Sequence, residues 1–79
     1  MQKSLSSSKH KSFLGLLRKV REEAGLRQTD VALRLDQPQS FVSKYESGER
    51  RLDLLELELV CKACETTLVD FVERFQAAK

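Results

Sequence analysis

Apolar residues recur at helical intervals along most of the chain, and nowhere do they alternate as a strand requires. Phe13, Leu17, Val20 and Ala24 fall at i, i+4, i+7 and i+11, one face of a helix, and Gly25 stands just past them as a stop. Thr29 to Leu35 predicts a short second helix with Val31, Ala32 and Leu35 inward. Asp36-Gln37-Pro38 interrupts it, because proline cannot continue a helix but suits the first turn of the next. The third helix is predicted from Pro38 or Gln39 to Ser47, ending at Gly48. Beyond the polar connector Glu49-Arg50-Arg51, Asp53 can cap a fourth helix that turns Leu55, Leu59 or Val60, Ala63 and Cys64 inward. Thr66 or Thr67 opens a fifth, with Leu68, Phe71, Val72 and Phe75 at i, i+3, i+4 and i+7. The pattern therefore predicts an all-α fold of five helices and no sheet.

Residues 1–10 are rich in Ser and Lys and are expected to form a disordered arm, leaving one folded domain over 11–79. A chain of 79 residues supports a single core and little else. No apolar run approaches the roughly 18–20 residues of a membrane span, and the start lacks the apolar centre of a signal peptide. A cytoplasmic location is expected.

Charge sharpens the picture. The formal net charge is only +2, but residues 1–51 hold eleven Lys/Arg against six Asp/Glu, a net of +5. Residues 52–79 hold three against six, a net of −3. A basic front and an acidic rear suit a protein with one face turned to phosphates. Cys61 and Cys64 form a lone C-x-x-C, and His10 is the sole histidine, so a zinc site lacks ligands. At i, i+3 within an apolar stretch, the two thiols read as small buried hydrophobes. No metal or cofactor is implied. Nor is an enzyme, since no Ser/His/Asp grouping or Gly-rich phosphate loop is present.

The third helix carries the chemistry. On a helical wheel Gln39, Ser40, Ser43, Lys44 and Ser47 share an arc of roughly 140°, and Phe41, Val42, Tyr45 and Glu46 fill the other side. An ordinary solvated face usually mixes Glu with Lys; this arc holds no acid. Short hydroxyl side chains allow close approach to a groove floor, Gln39 suits adenine N6 and N7, and Lys44 suits guanine or a phosphate.

The run Leu17-Arg-Lys-Val-Arg-Glu-Glu-Ala-Gly25-Leu-Arg-Gln28-Thr-Asp-Val-Ala32, followed by Gln39-Ser-Phe-Val-Ser-Lys-Tyr-Glu46-Ser-Gly48, resembles the xenobiotic-response-element (Cro/C1-type) family, a lambda-repressor-like helix-turn-helix fold. The likeness extends from about Leu14 to Phe75, with the helix-turn-helix unit at about 28–48. It implies that Gln28 contacts a phosphate and buttresses Gln39, that Gln39 reads a base, and that Ser40 and Lys44 occupy further base-facing positions. Ser43 shares their arc. Arg50 falls in the connector that follows the DNA backbone. Arg21 and Glu46 match a partly buried structural ion pair between the first and third helices. Asp36 and Glu65 stand where the family commonly has glycine, and Gln37 where it has an apolar plug.

The resemblance implies a DNA-binding transcriptional regulator whose partner is double-stranded DNA. One such module covers only ~600–1,000 Å², so a homodimer reading a palindrome is expected. The last helix is the expected dimer surface, shared with the end of the fourth, with Phe75 outermost. The alternative is an antitoxin or adaptor that uses the same fold to hold a protein partner.

Overall fold

Three helices of this chain stop in the same way, and those stops set the path of the backbone. The computed structural model describes residues 8–78, so most of the stretch expected to be an arm lies outside the described residues. Within them are α1 (Ser8–Glu23), α2 (Gln28–Leu35), α3 (Gln39–Ser47), α4 (Leu54–Ala63) and α5 (Leu68–Ala77), with no strand. Residues 8–10 already belong to α1, which starts five residues before Phe13. At the ends of α1, α2 and α4 a backbone N–H reaches back five residues: Leu26 to the Arg21 carbonyl at 3.2 Å, Gln37 to Ala32 at 2.9 Å and Thr66 to Cys61 at 2.9 Å. Each closure needs a left-handed residue just before it. Gly25 fills that place with φ 75°, but Asp36 (φ 57°) and Glu65 (φ 64°) fill it without glycine. Both positions thus hold a left-handed backbone in this chain at a side-chain cost of roughly 1–2 kcal/mol each.

Starts are as legible as stops. Asp53 accepts from the Glu56 N–H at 2.7 Å while Glu56 accepts from the Asp53 N–H at 3.0 Å, a reciprocal box that opens α4. Thr67 accepts from the Asp70 N–H at 3.0 Å and opens α5.

The helices pack as α1 on α3 and α5, α2 on α3 and α4, and α4 on α5. Leu17, Val20, Val31, Ala32, Val42, Tyr45, Val60, Cys61, Ala63, Cys64 and Phe71 form the buried core. Both thiols are free and buried within it, as their spacing predicts. Gly48 ends α3 at φ 87°, the left-handed region that favours glycine; a Cβ there would stand 2.9 Å from the tip of the Leu14 side chain, which would have to turn aside.

Two expectations about apolar residues fail. Leu55 of α4 is 72% exposed rather than inward; of the pair Leu59 or Val60 it is Val60 that is buried, and with Cys61, Ala63 and Cys64 it takes the inner face. Phe75 is not the outermost side chain of α5. It is half-buried and meets the Phe13 ring edge-on at 6.0 Å, with the Lys9 ammonium 5.6 Å from its own ring centre. The early start of α1 supplies the Lys9 part of that cover. No helix among the described residues is long and apolar enough to cross a membrane.

Candidate nucleic-acid interface

The turn between α2 and α3 puts the first residue of each helix side by side. Gln28 heads α2 and Gln39 heads α3. The Gln39 amide nitrogen donates to the Gln28 carbonyl oxygen at 2.7 Å. The Gln28 amide nitrogen donates in turn to Glu46 Oε1 at 3.0 Å. Arg21, from α1, closes the far end: its Nε donates to Glu46 Oε2 at 2.7 Å and its Nη2 to Oε1 at 3.1 Å. A third donor, Nη1, reaches the Leu26 carbonyl at 2.9 Å and ties down the turn between α1 and α2. Three helices and one turn are joined by a single hydrogen-bonded chain that runs from the core to the surface.

Burial falls along that chain. The Arg21 and Glu46 side chains are 10% and 6% exposed, Gln28 is half-buried and Gln39 is exposed. A carboxylate so placed needs donors to replace water, and it has three. Hydrogen bonding to Glu46 raises the Arg21 guanidinium further above its ordinary value, against the desolvation that opposes it. The inner end is buried and fully hydrogen-bonded, and the outer end, Gln39, is exposed.

Ser40 and Lys44 are exposed on the same helix and Ser43 is half-buried. Ser47, also in the polar arc, bonds to its own helix instead, at the Lys44 carbonyl (3.0 Å). Arg50 is engaged elsewhere. Its guanidinium donates to Glu56 at 3.1 and 2.7 Å, to the Arg51 carbonyl at 2.8 Å, and lies 4.7 Å from the Phe41 ring centre. The structure brings Gln28, Gln39, Arg21 and Glu46 together, and leaves Arg50 clamped to the start of α4. Sequence reasoning missed Glu56 as its partner, although the pattern Asp53-x-x-Glu56 marks the residue that folds back over the connector.

Where the family has an apolar plug, Gln37 is exposed at the rim of a cavity of about 350 Å³. Leu35, Phe41, Leu59 and Val60 line its apolar part, and Arg50 and Glu56 its polar part.

Fold and site together define a helix-turn-helix DNA-binding module. Residues 17–71 match the helix-turn-helix family model, and the chain belongs to that Cro/C1-type family of DNA-binding transcription regulators. Among solved structures it is similar to an XRE-family-like protein from Pseudomonas syringae pv. tomato strain DC3000. The two are 37% identical, with a TM-score of 0.86 over 96% of this chain and 93% of that one. It is also similar to the wild-type restriction-modification controller protein C.Esp1396I, at 28% identity and a TM-score of 0.79 over 89% of this chain and 91% of that one. No curated protein sequence matches the chain.

Proposed function

We propose that this protein regulates transcription by laying α3 in the major groove and reading a palindromic operator as a homodimer in the cytoplasm. Gln39 reads an adenine edge; Ser40, Ser43 and Lys44 supply the remaining groove contacts; Gln28 holds Gln39 and reaches a phosphate. The observation that carries this reading is the bond from Gln39 to Gln28. An amide at the tip of a groove-sized helix is held in one orientation before any ligand arrives, which lowers the entropy cost of recognition. Arg50 acts here by bracing the connector, and any phosphate contact it makes uses the outer side of the same guanidinium.

Dimerisation uses α4 and α5. Among the described residues, Leu54, Leu55 and Leu59 on α4 and Val69 and Val72 on α5 are the large apolar side chains exposed outside α2. Covering them across a two-fold axis would leave both α3 helices free, to be set about 34–36 Å apart as successive half-sites require. The C-terminal helix therefore contributes through Val69 and Val72 rather than Phe75.

Two measurements test the proposal. Gln39→Ala should relax preference at one base pair per half-site in a binding selection, at a cost of ~1–3 kcal/mol there. Unchanged preference removes Gln39 from the reading set. Sedimentation equilibrium should find a dimer for the wild type and a folded monomer for Leu55→Glu with Leu59→Glu. A monomeric wild type at tens of micromolar that pulls down a distinct protein through α4 would favour the adaptor reading.

A further inference from the structure

We propose that Glu46, whose side chain is buried beneath the reading helix, sets the polarity of the Gln39 amide through Gln28, and so makes this position of the helix prefer adenine over guanine. The inference rests on the reading of Gln39 given above.

A glutamine amide has two ends of similar shape and opposite chemistry, a carbonyl that accepts and an NH2 that donates. Rotated by half a turn it occupies the same space and reads a different base. What fixes its sense is the partner on its inner side. An ionised carboxylate can only accept. Glu46 Oε1 lies 3.0 Å from the Gln28 amide nitrogen, and with the amide turned over, two acceptors would face each other there without a proton between them. Glu46 therefore forces the NH2 of Gln28 inward and its carbonyl outward. That carbonyl faces Gln39 at 2.7 Å and imposes the same choice again: Gln39 must present an N–H to it. Arg21 donates to both carboxylate oxygens, which holds the source of the signal still.

The outer amide is left with one N–H and its carbonyl. Adenine offers the matching pair in the major groove, an N7 acceptor and an N6 donor. Guanine offers two acceptors, N7 and O6, and would need both N–H groups of Gln39. One of these is already committed to Gln28. Glu46 is thus a positioning residue whose influence crosses one intervening side chain.

A binding selection over all four bases at the position read by Gln39, with the other operator positions scored in parallel, tests the relay. The wild type should favour adenine over guanine there by roughly five- to hundredfold, the range of a single well-made bidentate contact. Replacing the ion pair by apolar chains of similar length, Arg21→Met with Glu46→Met, removes the acceptor without leaving a lone buried charge. Its adenine-to-guanine ratio should fall to within about threefold of unity, while preferences at the other positions persist, an outcome that loss of stability alone would not produce. If the double variant does not fold, Gln28→Met, which keeps the ion pair, should give the same local collapse. A wild-type ratio in these variants, alongside a ratio abolished by Gln39→Ala, would overturn the relay and leave the reading of Gln39 intact. A ratio untouched by Gln39→Ala would overturn that reading, and the relay with it.

Discussion

Two Arg–Glu forks with the same pair of contact distances stand in different surroundings. Arg21 and Glu46 meet at 2.7 and 3.1 Å beneath the reading helix, and Arg50 and Glu56 meet at 2.7 and 3.1 Å over the connector. The first pair has side chains 10% and 6% exposed, the second 39% and 30%. Contact distance therefore says little about what either fork contributes. In the buried pair each charge depends on the other, because water cannot replace a lost partner; in the connector pair it can. The buried fork is a mutual dependence between α1 and α3, whereas the connector fork is a local clasp, helped by the Phe41 ring beneath Arg50.

The largest test of this contrast is Glu46→Ala, which should cost about 3–5 kcal/mol by leaving Arg21 buried and unpaired. Arg21→Met with Glu46→Met should cost less than either single truncation. Urea unfolding through a double-mutant cycle measures the coupling, and additive losses would mean that the two side chains act independently. Glu56→Ala should lower the urea midpoint by a small fraction of that amount, since its partner remains solvated.

Acid separates the forks in another way. The Arg50 guanidinium and the Asp53 N–H hold the Glu56 carboxyl at about 2, below its ordinary range. Asp30 is likewise held at about 2, by the side chain and backbone N–H of Arg27. A carboxyl depressed by folding adds stability that is complete above its unfolded value, near 4, and lost as pH falls towards 2. Urea midpoints should decline across that window, and Glu56→Gln should flatten part of the decline. A polar group buried without any partner sharpens the comparison further. The Tyr45 hydroxyl, one residue from Glu46, finds none among the described residues. Tyr45→Phe should leave the midpoint unchanged or slightly raised, because no hydrogen bond to the described residues is lost. The smallest effect belongs to Arg18, whose pair with Glu22 is 67% and 54% exposed. Arg18→Ala should not move the unfolding curve measurably.

The buried fork was legible in the sequence and the connector fork was not, and the reason is physical. Arg21 and Glu46 lie on faces set by helical periodicity, so a wheel brings Glu46 to the core edge and the family resemblance supplies its partner. Arg50 lies outside any helix, where no period assigns a direction, and its clasp depends on a capping residue that turns backward. The core residues of α1, α2 and α3 follow the 3.6-residue rule closely. On α4 it misled: Leu54, Leu55, Leu57 and Leu59 make that helix apolar nearly all round, so periodicity could not say which side faced in. Phe75 was misplaced for a related reason. Nothing in the polar stretch before Phe13 announces that α1 extends back to Ser8 and brings Lys9 alongside that ring.

The two thiols at the end of α4, Cys61 within it and Cys64 at its C-cap, give this molecule a built-in clock. Burial pushes Cys61 and Cys64 up to about 11, so at neutral pH neither is in the reactive thiolate form, and both are closed to reagents while the core is shut. Alkylation then proceeds only as fast as the protein opens. Cys64 sits beside the turn into α5, one residue before the left-handed Glu65, while Cys61 lies a turn deeper. Labelling of Cys64 ahead of Cys61 would time the lifting of α5 from the domain, and equal rates would time its unfolding as a whole.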